Sequence, residues 1–529
     1  MKINTTSSEL SIKQKIGMML IARTPVDEES YQFTLDLIRN HSLGGIHFRA
    51  VDSTPNFPVD SKRIKELIKE VKETANYPIL ICEDMESGYS EGHVSLCPPM
   101  ALASTNSEKY AYEFGRITAC EAKKDGYNLV FGPILDIALN PLASCVGPRS
   151  FGSSPTKVAK IAANVIRGYQ SQGFIVTGKH FPGFGASPID SHIDMVVLNS
   201  NKQQLLQREM LPYQYCYEKA NMSGIMMGHI MVPQIDSTYP ASLSKKIISF
   251  LRSTGYDNLI ITDSLSMVGL TTIFGLENAH KLAFAAGNDM ILACYRTSIK
   301  QSYKWLCEAY ENNMISESQI NQSVNRIIRA QEKTLQTQQT QFNTTEALAT
   351  ASVIAKASIA EKINDASISF SIDPNGRHLF IIQDANYYQN PQNGKIEKEN
   401  YFNIDAALAA IQNNFPNSDI VRICGYPSKY EIEAVLAKSL DCTSIVPVLY
   451  SFTASYAGSS DITHRLLALL NGLVTKISAI VHYGNPYAAR EYPDVPRIIF
   501  GFDKKECQRY GIEALAGHFC PTGDLPVSF

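Results

Sequence analysis

The chain has 529 residues, 44% of them hydrophobic and 19% charged, with a formal net charge of -3. That length exceeds what one ordinary core holds, so two domains are expected. The near-balanced charge offers no electrostatic handle for nucleic acid or an acidic membrane surface, and neither partner is expected.

The 11 cysteines are scattered and form no Cys-x-x-Cys pair, which argues against a disulfide framework or structural zinc. The amino terminus, Met1 to Glu9, lacks the apolar core of a signal peptide. No run reaches membrane-spanning length, so a cytoplasmic location is expected. The one basic-looking stretch, around Lys65, alternates Lys and Arg with Glu66 and Glu70 and reads as a solvated helix face.

In chain order, short apolar runs fall at 18–22, 45–48, 79–82, 129–131, 175–177, 225–227, 259–261 and 290–292. Amphipathic stretches separate them at 31–39, 63–72, 108–122, 155–169, 204–217 and 243–251. Alternation of this kind implies parallel strands joined by right-handed helical crossovers. Repeated so often over the first 300 or so residues, it predicts a (β/α)8 TIM-like barrel spanning 1–332. A polar Gln/Thr run at 331–341 reads as a connector, and with a helical segment at 345–363 it defines a linker over 333–364. Strand-like runs at 379–382, 420–424, 445–449, 477–481 and 498–500 follow, with helical runs at 405–412, 430–438 and 462–474. These predict a three-layer α/β/α sandwich over 365–529.

Barrel active sites gather at the carboxyl ends of the strands. The predicted strand ends here carry Asp84, Asp136, Lys179 with His180, His229 and Asp263. Asp263 alone reads equally as a helix N-cap, and Lys179 alone as half of a buried salt bridge. His192 lies in a loop with Gly183, Gly185 and Pro188, and Asp190 two residues earlier can accept a proton from its ring. Such a pairing fixes the tautomer and raises the basicity of an imidazole, making it a candidate acid/base.

Several segments resemble glycoside hydrolase family 3, and within it the β-N-acetylhexosaminidase branch. Lys179-His180-Phe181-Pro182-Gly183 is similar to the family's Lys-His-Phe-Pro-Gly motif, and Asp190-Ser191-His192 to the Asp-Ser-His of that branch. Ile261-Thr262-Asp263 looks like the strand that ends in the family nucleophile. Gly147-Pro148-Arg149-Ser150-Phe151-Gly152 and Ile81-Cys82-Glu83-Asp84 look like its sugar-binding segments. The resemblance continues through Met227-Gly228-His229-Ile230 and, more weakly, through Gly484-Asn485-Pro486-Tyr487. It departs at Ser264, where the family often has a second Asp, at Ser87 and at Phe184.

The resemblance implies a retaining, exo-acting β-N-acetylglucosaminidase acting on N-acetylglucosamine-containing glycans. Asp263 would be the nucleophile, His192 the acid/base and Asp190 its orienting partner. Asp84, Arg149, Lys179, His180 and His229 would hold the sugar. No metal or organic cofactor is implied. The competing readings are a β-glucosidase or β-xylosidase, a phosphorolytic enzyme built on the same residues, and an inactive sugar-binding homologue.

Overall fold

The computed structural model describes residues 6–49, 59–143, 145–293, 296–336, 342–365, 367, 371–389, 396–399, 403–451, 462–502 and 505–528. The chain divides into two compact units. The first comprises residues 1–94, 111–140 and 155–344; the second comprises 95–110, 141–154 and 345–529.

The first unit is an eight-stranded parallel barrel. Its strands are β1 (Leu20–Arg23), β2 (Gly45–His47), β3 (Leu80–Glu83), β4 (Leu129–Val130), β5 (Ile175–Phe181), β6 (Gly224–Met227), β7 (Leu259–Thr262) and β8 (Ile291–Leu292). They are ordered β8-β1-β2-β3-β4-β5-β6-β7. Ile261 bridges Met290 in parallel, and the Thr262 N–H donates to the Met290 carbonyl at 3.1 Å, which closes the ring. Leu20, Ile21, Ile46, Ile81, Val176, Ile225, Ile260 and Ile291 are all buried. Strands covered on both faces read as continuous apolar runs, and that is why these were visible in the sequence.

One crossover departs from the sequence expectation. The single helix expected at 204–217 is three pieces: Lys202–Gln204, a π-turn Leu205–Glu209, and an α-helix Leu211–Ala220. Pro212 has no N–H to give a preceding turn, so it sits in the first turn of a restarted helix.

The second unit is a seven-stranded mixed sheet. Its strands are β9 (Ala360–Ile363), β10 (His378–Gln389), β11 (Ile396–Glu399), β12 (Asp419–Cys424), β13 (Ser444–Ser451), β14 (Ile480–Gly484) and β15 (Arg497–Phe500). β12, β10, β13, β14 and β15 run parallel in that order, while β9 pairs antiparallel with β15 and β11 with the far end of β10. Leu379 and Ile381 pack in one cluster with Val435, Leu466 and Leu470 from the helices Lys429–Ser439 and His464–Leu473. Phe380 alternates to the opposite face and meets Phe415, with ring centroids 5.2 Å apart. This is the expected three-layer sandwich with two further edge strands. The helix expected at 345–363 ends at Ala357, and its last residues form β9 instead. Residues 337–341 of the polar connector lie outside the described residues. Among the described residues, no helix is long and apolar enough to cross a membrane.

Candidate active site at the barrel rim

β5 supplies two adjacent polar residues. Its register with β6 shifts between Gly178 and Phe181, and such an irregularity re-aims side chains that would otherwise alternate. Lys179 and His180 are both buried, and both reach rim carboxylates. Lys179 Nζ lies 2.5 Å from Asp84 Oδ1 and 2.7 Å from Glu86 Oε1. The buried-salt-bridge reading of Lys179 is therefore part of the structure. The Asp84 side chain keeps 38% exposure. Burial raises its carboxyl, but Lys179 and then His47 outweigh that, and the net position is below the usual aspartate range.

His180 is held from behind by Asp136, which is 1% exposed. The ring Nδ1 lies 2.7 Å from Asp136 Oδ2, and the Phe184 N–H donates to Asp136 Oδ1 at 3.1 Å. An ionised carboxylate only accepts, so Nδ1 carries the proton and Nε2 is turned forward. Forward of it, at 3.9 Å, is Asp263 Oδ2.

Asp263 follows β7 directly and is 8% exposed. Its Oδ1 accepts the Ser264 N–H at 2.6 Å. Burial pushes this carboxyl up, yet the imidazoles of His180 and His229, the Ser264 N–H and Lys179 together bring it below the ordinary aspartate value. The site thus keeps an ionised carboxylate in a nearly dry position.

His229 stands behind that carboxylate. Its Nε2 lies 2.8 Å from the Ser264 carbonyl and its Nδ1 2.8 Å from Ser242 Oγ. A carbonyl only accepts, so Nε2 is the protonated nitrogen and Nδ1 accepts from the serine. Burial lowers the His229 pKa, consistent with a neutral ring. With both nitrogens engaged, His229 braces the peptide after Asp263, and neither nitrogen remains for a sugar hydroxyl.

The loop after β5 carries a third imidazole, that of His192. Gly183 has φ +118, a region that favours glycine, and a Cβ on Gly185 would sit 1.8 Å from the Ile137 carbonyl oxygen. Glycine is thus needed at both positions where the loop leaves β5. Asp190 is 4% exposed, and its Oδ1 accepts both the His192 N–H and the ring Nδ1–H, each at 2.8 Å. With Nδ1 held by this carboxylate, Nε2 is the other nitrogen of the ring. Asp263, His180 and His192 all lie near enough to influence His229 electrostatically.

Arg149 ends a short 3-10 turn, Gly147–Arg149, in a segment that groups with the second unit. Its Nη1 donates to the Cys145 carbonyl at 2.5 Å. Two residues at the rim went unassigned in the sequence. Glu86 stands beside Asp84 in the segment already singled out, and Asp136 closes a predicted strand. Only the folded chain reveals that they hold Lys179 and His180.

Residues 11–330 match the family described as "Glycosyl hydrolase family 3 N terminal domain". The chain belongs to glycosyl hydrolase family 3. A beta-hexosaminidase of Idiomarina loihiensis is 32% identical over 251 residues, which are 46% of this chain and 74% of that protein. A beta-N-acetylglucosaminidase/beta-glucosidase of Cellulomonas fimi is 25% identical over 343 residues, 62% of this chain and 58% of the relative. Among solved structures, a glycoside hydrolase family 3 beta-N-acetylglucosaminidase from Paenibacillus sp. superposes with a TM-score of 0.82 at 22% identity, covering 98% of this chain and 99% of that one. A beta-glucoside phosphorylase reaches a TM-score of 0.81 at 22% identity, covering 99% and 94%. These superpositions extend the family fold across both units. The protein is a glycoside hydrolase with a carbohydrate substrate.

Two expectations arise from this family 3 rim. Lys179→Ala leaves two neighbouring carboxylates without their cation. It is expected to destabilise the fold by about 2–3 kcal/mol, toward the low end for a broken buried pair because solvent reaches Asp84. Denaturant unfolding measures this, and an unchanged midpoint contradicts the pairing. The second concerns pH. The depressed pKa of Asp263 means its ionised form stabilises the native state above the ordinary aspartate value of about 3.9. That contribution is lost only as pH falls through the lower folded value. Activity needing ionised Asp263 therefore shows no acid limb in kcat/KM at or above that ordinary value, and a limb there contradicts the geometry.

Proposed function

We propose that this glycosidase is a retaining, exo-acting β-N-acetylglucosaminidase. The observation that carries the reading is the Asp190–His192 pair, 2.8 Å between carboxylate and Nδ1, mounted on the loop after the strand that carries Lys179 and His180. Such a pairing fixes the ring's tautomer and orientation, which is what an acid/base that both gives and takes a proton needs.

In the first step, Asp263 attacks the anomeric carbon while His192 Nε2 gives its proton to the departing glycosidic oxygen. A covalent glycosyl ester on Asp263 results, with the anomeric centre inverted. In the second step, His192 Nε2 takes a proton from water as its oxygen attacks the same carbon. The second inversion restores the β-configuration. Asp190 holds the ring through both steps. Lys179, His180 and Asp84 bind sugar hydroxyls, interactions that tighten as the ring flattens toward the oxocarbenium-like transition state. His229 supports the nucleophile through the Ser264 carbonyl.

The β-hexosaminidase relatives near 30% identity support the acetamido sugar over glucose or xylose. A panel of aryl β-glycosides, assayed with and without inorganic phosphate, tests the reading. The expected result is a kcat/KM on the N-acetylglucosaminide at least about tenfold above that on the glucoside or xyloside, with no phosphate requirement. Preference for the glucoside, or a sugar phosphate as the main product, overturns it.

A further inference from the structure

His47, Glu83 and Asp84 present ligand atoms that all lie within 4.8 Å of one another, a donor set that by type alone suits a divalent cation. Arg23, at the end of β1, argues for another use. Its Nη1 lies 3.0 Å from His47 Nδ1. A guanidinium only donates, so Nδ1 is the acceptor and the ring proton sits on Nε2, where no lone pair remains for a metal. The Lys179 ammonium also already engages Asp84. Nε2–H is buried without a hydrogen-bond partner and is turned toward Glu83 Oε1 and Asp84 Oδ2, each at 3.7 Å.

The same guanidinium reaches the other side of the rim. Nη2 donates to Ser264 Oγ at 2.7 Å, and Nε donates to the Ala293 carbonyl at 2.8 Å. Ser264 is the residue whose N–H binds Asp263 and whose carbonyl is held by His229. Its hydroxyl is further tied to Ser266 Oγ at 2.8 Å. One planar cation thus joins the end of β1 to three other strand ends, the nucleophile's neighbour among them. A fork of fixed geometry suits that task, where a lysine would supply only a point charge.

We propose that Arg23 is a positioning residue for this active site. It braces Ser264, and through it the Asp263 carboxylate, while fixing the His47 tautomer that faces Asp84. It touches neither the sugar nor the reacting atoms. The inference rests on the glycosidase reading of the rim, not on the identity of the sugar.

The test uses the full chain and whichever aryl glycoside the wild-type protein turns over. Arg23→Ala is expected to lower kcat/KM about 100-fold, mostly in kcat, since a small misplacement of reacting groups costs that much. Millimolar guanidinium, far below denaturing levels, should restore at least about tenfold by refilling the vacated site. In a Ser264→Ala, His47→Leu background the same substitution should cost less than about threefold, because its two side-chain partners are gone. Circular dichroism and thermal unfolding separate these effects from misfolding, which guanidinium does not rescue. Full loss in both backgrounds, or no rescue of a folded variant, overturns the proposal and leaves the glycosidase reading standing. Wild-type protein that turns over no aryl glycoside removes both.

Discussion

Asp263→Asn is expected to abolish turnover while leaving the fold intact. The amide is nearly isosteric, and its oxygen still accepts the Ser264 N–H that now binds Oδ1 at 2.6 Å. What it loses is nucleophilicity, since a neutral amide does not form the glycosyl ester. The negative charge 3.9 Å from His180 Nε2 disappears as well. Without a nucleophile both steps of a retaining reaction fail, and the loss in kcat is on the order of 10^4-fold or more. Steady-state kinetics on an activated aryl N-acetylglucosaminide measure it, with mass spectrometry to exclude deamidation back to Asp. Activity above a few per cent of wild type means that another group attacks the sugar.

His192→Ala is expected to discriminate between leaving groups. An alkoxide or sugar alkoxide departs only with a proton, so substrates of that kind lose on the order of 10^3-fold. A nitrophenolate departs without one, and its glycosylation step is nearly spared. Deglycosylation then limits, because water still needs a base. A small anion such as azide attacks without base help, and it should accelerate turnover of the activated substrate and yield the β-glycosyl azide. Asp190→Ala should show the same pattern more weakly, since the carboxylate bonded to Nδ1 orients and tunes the ring and does not carry the proton. Equal losses on good and poor leaving groups, without azide rescue, make His192 a binding or structural residue.

Much of the fold was legible because a closed parallel barrel hides both faces of every strand. Runs such as Ile175-Val176-Thr177 and Leu259-Ile260-Ile261 then stand out as uninterrupted apolar blocks. Short edge strands carry no such signal. Ala360–Ile363 continues an alanine-rich helical pattern and becomes a strand by pairing with Arg497–Phe500, a tertiary contact that overrides local preference. The break before Leu211 was readable from Pro212.

The site shows the same division. Asp263, Lys179, His180 and the Asp190–His192 pair were conspicuous as polar residues where apolar runs end or glycines cluster. Their supporting contacts were not. The partner of His229 Nε2 is a backbone carbonyl 35 residues away, which no side-chain pattern advertises. Asp136 holds His180 across 44 residues of sequence, and Arg23 reaches Ser264 across 241. Arg23 and His47 each end a strand, yet each is a single polar residue beside an apolar run. Only the closure of the ring brings them together.

A covalent bond between Asp263 and the sugar can be trapped as the glycosyl-enzyme. An activated 5-fluoro N-acetyl-β-glucosaminide slows both steps by destabilising positive charge at the ring, while its good leaving group keeps the first step the faster of the two. The glycosyl-enzyme therefore accumulates and survives acid quench and proteolysis. A single modified peptide is expected, carrying the sugar on Asp263. A sugar attached to any other residue, or an inactivated enzyme with no adduct, contradicts it.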